Sequence, residues 1–347
     1  MELHFTWTNG PVDDAIESLI DLAERVHNRD IVREMILTAL KAGQENEGKA
    51  ALRLMNSTLK EMRFTAKVFD PYRRIKKVSV FGSARNRQGD AIYEMAQLFG
   101  ERLAAAGYMV VSGGGPGIMQ AVHEGAGLDH SFGVNIRLPF EQESNPVMEG
   151  NARNIVYKYF FNRKVAFLKE ADAVTLFPGG FGTLDEAMET LTLLQTGKHN
   201  PFPVILLDVQ GGTYWTKWLG FIKEALLSQG YIGQCDLALF ERLDSVDDAV
   251  KSIDRFYRVY RSIRYVGEKL VIRLNIPLNQ HVVGEIKAHF QDILVPRGTV
   301  SLCEALPEEE NEPEIIHLPR LVLDFNRKDF GRLRKLIDFL NDVKPLL

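Results

Sequence analysis

The chain has 347 residues, of which 45% are hydrophobic, 25% charged and 10% aromatic; this is the make-up of a water-soluble globule with ample core material and excludes disorder of the whole chain. A formal net charge of −4 excludes a general nucleic-acid-binding surface, which needs clustered excess Lys and Arg. No apolar run approaches the roughly 20 residues of a membrane span and the N-terminus lacks the basic and apolar regions of a signal peptide, so the sequence reads as cytoplasmic, without membrane or nucleic-acid partners.

At this length two or three domains are expected. Apolar residues at helical spacing, Ile16, Leu19, Ile20 and Ala23, then Ile31, Met35, Ile36 and Leu40, predict an N-terminal helical extension over residues 1–70. Its breaks are expected at Asn28-Arg29-Asp30, at Gly43 and at Asp70-Pro71. Over residues 71–265 the pattern changes to short apolar runs that end in glycine-rich turns and lead into helices. Strands are predicted at 78–81, 109–112, 133–138, 173–177 and 203–207, and helices at 90–106, 117–125, 162–170, 183–195 and 214–229. That alternation marks βαβ units and a parallel sheet, the α/β class, whose ligands sit outside the carboxyl ends of the strands.

A helix of mixed charge over 245–265 is expected to lead out of the core. Beyond it, 269–274, 280–294, 300–305, 318–325 and 329–343 read as strand, helix, strand, strand, helix, a small C-terminal α+β domain at 266–347. The acidic, proline-flanked run from Pro307 to Glu314 reads as a solvated loop.

The chemistry gathers at the strand ends. Phe177-Pro178-Gly179-Gly180-Phe181-Gly182-Thr183-Leu184-Asp185-Glu186 follows an apolar strand and opens a helix. Glycines let backbone N–H groups approach an anion, and the helix N-terminus adds partial positive charge, so a phosphate is the natural occupant. Glu186, one turn in, can meet the sugar of a ligand held there. The bland reading is a tight turn capped by Thr183. Ser112-Gly113-Gly114-Gly115-Pro116-Gly117 repeats the arrangement, and two such turns in one sheet strengthen the anion reading. Neither is a dinucleotide fingerprint or a Walker A loop. A third turn holds Ser83, equally readable as a phosphate or ribose donor and as a simple cap. Arg163-Lys164 can reach the same edge and meet a phosphate or Glu186, although the residues alone read as a surface charge pair, and Arg137 and Arg153 compete for that role.

Pro178-Gly179-Gly180-x-Gly182-Thr183-x-x-Glu186 resembles the PGGxGTxxE signature of the LOG (Lonely Guy) family, with the glycine turn at 113–117 and Arg163-Lys164 in the family's order, over roughly residues 75–230. The resemblance implies a Rossmann-like doubly wound parallel sheet, without a dinucleotide, and phosphoribohydrolase activity: a nucleoside 5′-monophosphate, AMP-like or cytokinin-riboside-monophosphate-like, and water give free base and ribose 5-phosphate. It implies Arg163 and Glu186 as the catalytic pair. Gly179, Gly180, Gly182 and Thr183 would hold the 5′-phosphate, with Gly114, Gly115 and Gly117 completing the cradle and Ser83 as a further participant. No cofactor or metal is called for, and a homodimer or larger homo-oligomer is expected. The lysine decarboxylase label often attached to such sequences finds no Schiff-base lysine context here.

The competing reading is a nucleotide sensor on the same fold that binds without hydrolysis; a phosphotransferase is disfavoured because no P-loop lysine accompanies the turns. Cys235 and Cys303 lie far apart and the histidines lack ligand spacing, so neither suggests a metal or disulfide framework. Trp215 and Trp218, at i, i+3, read as packing a helix onto the sheet, with stacking on a base as the alternative that the sequence leaves open.

Overall fold

The computed structural model describes residues 8–137 and 144–343, so Leu138, assigned to a strand by its sequence pattern, lies outside the described residues. The chain divides into two compact units, Met1–Phe64 and Thr65–Leu347.

The N-terminal stretch forms α1 (Pro11–Ala23), α2 (Arg29–Glu45) and α3 (Lys49–Phe69), the last of which continues into the second unit. Pro11 occupies the first turn of α1, where its missing N–H has no partner to lose, and Asp13 and Asp14 face the positive helix end. Ile16 and Ile20 of α1 pack on Leu37 of α2. Beside them the buried Asp13 accepts from the Arg33 guanidinium and, at 2.9 Å, from the Asn9 backbone N–H, so neither buried charge is left unpaired. Gly43 does not break α2, which runs on to Glu45.

The second unit begins with an α/β core. In chain order it contains β1 (Lys77–Phe81), α4 (Ala91–Ala105), β2 (Met109–Ser112), α5 (Ile118–Ala126), β3 (Ser131–Ile136), β4 (Asn154–Tyr157), α6 (Phe160–Lys169) and β5 (Ala173–Leu176). It continues with α7 (Phe181–Gln195), β6 (Val204–Leu207), α8 (Tyr214–Phe221), β7 (Glu241–Leu243) and α9 (Val246–Phe256). The seven strands are parallel in the order β4-β3-β2-β1-β5-β6-β7. Strands β1, β2, β5 and β6 are buried along their whole length, which is why they read as mostly apolar runs. The edge strands β4 and β7 carry exposed positions and lack such runs, so the sequence pattern missed them. The helix expected to reach Gln229 is α-helical only to Phe221 and closes with a π-helical turn over Ile222–Leu227.

The chain lays β1 to β4 outward on one side of β1, then crosses back to place β5 on its other side. Phe81 pairs with Leu176, so the turns leaving β1 and β5 start side by side at this switch point, and Ser83 N–H donates to Pro178 O at 3.2 Å.

The helix expected over 245–265 ends at Phe256. Residues from Tyr260 form β8 (Tyr260–Val266), which turns at Gly267 into β9 (Lys269–Leu274). With α10 (Gln280–His289), β10 (Val300–Cys303), β11 (Arg320–Leu323) and α11 (Phe330–Asp342) they make an antiparallel sheet, β10-β11-β9-β8. Ile272, Leu321 and Leu323 form its core with Val283 and Ile286 of α10 and Leu333, Leu336 and Leu340 of α11.

The acidic run is solvated only in part: Glu308, Glu310 and Glu314 are exposed, but Glu309 is buried. Arg273 and Arg320 stand opposite each other on β9 and β11, and the run supplies their counter-charges. Fully buried Glu309 meets Arg320 Nε at 3.0 Å and Arg273 Nη2 at 2.7 Å, and Glu312 meets Arg273 at 2.8 Å and Arg264 at 2.7 Å.

Candidate active site

The turns leaving β1, β2 and β5 border a cavity of about 780 Å³, a size that suits a nucleotide. The glycine-rich turn after β5 ends at Gly180, the N-cap of α7. The first N–H groups of a helix have no intrahelical acceptor, so those of Phe181, Gly182 and Thr183 are available at the positive end of the helix. Gly179 is required by its neighbour: a Cβ there would stand 2.1 Å from Thr183 Oγ1.

Glu186 lies one turn further into α7. Its Oε2 is buried and has no hydrogen-bond partner among the described residues. Burial pushes its carboxyl up to about 7, against the pull of Lys164 and Arg163. Lys164 does not bond Glu186; its ammonium pairs with Asp185 at 2.7 Å and Glu189 at 3.1 Å.

Arg163 projects from α6. Its Nε donates to Val134 O at 2.8 Å and its guanidinium lies 5.2 Å from the Phe167 ring centroid. Burial pushes its pKa down while the Glu186 charge raises it. Arg153 does not compete for this position: its guanidinium donates to Ser131 O, the Tyr72 hydroxyl and Leu128 O. Arg137 is exposed at the end of β3.

The structure therefore brings Ser83, Arg163, Gly179, Gly180, Gly182, Thr183 and Glu186 to one cavity. Gly114, Gly115 and Gly117 do not line it. Gly114 leaves space for the Asn135 amide, Gly115 lies over Met119, and Gly117, at φ +71°, lets the chain pass the Ser83 carbonyl and Ala84 backbone. Their neighbour Gly113 does line the cavity.

The cavity is also lined by Arg85, Met119, Phe160 and Tyr214, to which the sequence reading gave no role in the site. Beneath the second glycine turn, buried Asn145 donates from its backbone to Gly114 O at 2.8 Å and from its side chain to Gly115 O at 3.1 Å. The same amide reaches Nδ1 of fully buried His123, whose Nε2 sits 3.1 Å from Phe132 O. A carbonyl only accepts, so Nε2 carries the proton and Nδ1 accepts from Asn145. Trp215 is fully buried and donates to Leu207 O at 3.2 Å, fastening α8 to the sheet. Among the described residues there is no group of three or more His, Cys, Asp or Glu able to hold a metal, and no helix long and apolar enough to cross a membrane.

A family model described as "Possible lysine decarboxylase" matches residues 117–253, a stretch that includes Arg163 and Glu186. Among curated proteins, the chain is 34% identical over 164 residues to the probable cytokinin riboside 5′-monophosphate phosphoribohydrolase LOG6 of Arabidopsis thaliana, covering 46% of this chain and 78% of that one. The chain belongs to the LOG family. A second member, cytokinin riboside 5′-monophosphate phosphoribohydrolase LOG3 of Arabidopsis thaliana, is 28% identical over 188 residues, covering 53% of this chain and 84% of its own. The molybdenum cofactor carrier protein of Chlamydomonas reinhardtii superposes with a TM-score of 0.36 at 18% identity, over 52% of this LOG-family chain and 97% of the carrier.

Proposed function

We propose that this LOG-family protein hydrolyses the N-glycosidic bond of a nucleoside 5′-monophosphate, giving free base and ribose 5-phosphate. The observation that carries this reading is Glu186: a partly buried carboxyl raised to about 7, with its buried Oε2 unpartnered, one turn from the open N-terminus of α7.

The 5′-phosphate binds the N–H groups at the start of α7, with Ser83 beside it. One helical turn is about 5.4 Å, the distance from a 5′-phosphate into its ribose, so the sugar meets Glu186. As the bond from C1′ to the base breaks, the electron pair leaves with the base and positive charge grows on the ribose ring. The Glu186 carboxylate stabilises that charge, orients a water and takes its proton as the oxygen bonds to C1′; the proton then goes to the departing base. Arg163 holds the substrate and the Glu186 charge in register. No step uses a metal. The relatives' names support a cytokinin riboside 5′-monophosphate as substrate, and an adenylate is the alternative that the same phosphate and ribose contacts would hold. Exposed Phe160 and Phe181, which line the cavity, together with exposed Phe161 and Val165 on α6 and Met188 on α7, support a homo-oligomer that covers them.

The test is base release, followed by chromatography, from a panel of nucleoside 5′-monophosphates and their nucleosides, with Glu186→Gln alongside. Base from monophosphates only, lost in the variant, is the expected result. Nucleotide binding without base release would replace the hydrolase by a sensor.

A further inference from the structure

The turn that receives the phosphate contains a peptide bond flanked by two glycines, and a side chain from another part of the fold holds it. The Tyr214 hydroxyl, at the start of α8, donates to the Gly179 carbonyl at 2.7 Å. Its ring packs edge-on against buried Trp215, with centroids 4.8 Å apart, so the phenol is itself fixed to the sheet. Tyr214, Gly179 and Gly180 line the same cavity.

In a trans peptide the carbonyl and the following N–H share one plane and point opposite ways. The bond that fixes Gly179 O therefore also fixes Gly180 N–H, which has no acceptor among the described residues. Gly180 has φ −89° and ψ −157°. A half-turn of the peptide plane carries its φ into the positive region, which glycine enters freely and residues with a Cβ avoid. A glycine pair without a restraint would populate both orientations, and only one presents the N–H as it stands here.

We propose that Tyr214 is a positioning residue for the substrate's 5′-phosphate: its hydroxyl locks the Gly179–Gly180 peptide in the orientation that offers Gly180 N–H to the phosphate. The kinetic side of this inference rests on the hydrolase reading above; the binding side does not.

Tyr214→Phe keeps the ring and removes the hydroxyl. In the full-length protein it is expected to raise both the Kd for AMP, measured by calorimetry, and KM about tenfold, the worth of one hydrogen bond, with kcat nearly unchanged. Gly180→Ala disfavours the flipped peptide by itself, and its Cβ meets nothing within 4 Å. In that background the same loss of the hydroxyl should cost less than about threefold. Unchanged AMP binding, a fall in kcat with Kd unchanged, or an equal cost with and without Gly180→Ala would each overturn the proposal. If the unaltered protein binds AMP but releases no base, the hydrolase reading falls and Tyr214 is judged on the binding data alone.

Discussion

Gly113 and Arg163 share one volume: a Cβ at position 113 would lie 2.5 Å from Arg163 Nη2 and 2.3 Å from Met119 Sδ. Gly113 is absent from the residues with positive φ, so alanine is acceptable to the backbone there and acts only by displacing those two side chains. Gly113→Ala should lower base release about 10- to 100-fold through misplacement of the guanidinium, while overpacking costs about 1–3 kcal/mol of stability. Steady-state kinetics beside thermal unfolding check this; full activity in a folded variant would remove Arg163 placement from the mechanism.

The titration of Glu186 sets a pH dependence. A general base works ionised, so kcat/KM should rise with pH through about 7. Lys164 holds that pKa down, so Lys164→Met should move the rising limb to higher pH. A profile that stays flat between about pH 5 and 9 would exclude Glu186 as the titrating base.

The same group lowers stability. Its folded-state pKa of about 7 lies above the ordinary 4.5, so the folded protein retains a proton that the unfolded chain releases, and stability falls as pH rises from 4.5 to about 7. Glu186→Gln should therefore be more stable than the unaltered protein by about 1–3 kcal/mol at about pH 8, with the difference gone near pH 4. Denaturant unfolding at the two pH values measures it.

His123 has the opposite dependence. Burial pushes its pKa from 6.5 to about 4, so acid protonates the unfolded chain first and stability is lost as pH falls through that window. The cost of His123→Gln should be largest above about pH 6.5 and shrink toward pH 4, since the variant has no such proton to take up. A cost independent of pH would show that the imidazole stays neutral in both states or titrates equally in both.

Glu309→Ala leaves Arg273 and Arg320 facing each other without their shared counter-charge, and should destabilise the protein by about 3–5 kcal/mol. Chemical denaturation provides the measure, and a loss under about 1 kcal/mol would mean that water replaces the carboxylate.

Runs that the sheet buries on both faces were legible, as at 109–112, because burial itself demands apolar residues. Edge strands escaped because nothing demands it of them. The phosphate turn was legible from glycines beside a helix start and Glu186 from its place one turn into that helix, whereas only family resemblance separated Arg163 from Arg137 and Arg153. Tyr214, Gly113 and Asn145 matter through neighbours that only folding supplies: Tyr214 lies 35 residues from the carbonyl it holds, and Asn145 lies 22 from His123. The acidic run misled for the same reason, since its arginines sit 36 and 11 residues away from Glu309.

The pairing of β1 with β5 has a consequence for assembly in time. It joins parts of the chain about 95 residues apart, as the bond from Lys77 N–H to Asp172 shows, and closing so long a loop is slow relative to forming the helices and nearer strand pairs within it. The turns that follow both strands line the cavity, so no sheet lacking their pairing possesses it. On a ribosome the last lining residue, Tyr214, emerges only with α8, and a nucleotide that binds can select and stabilise only a chain made at least that far.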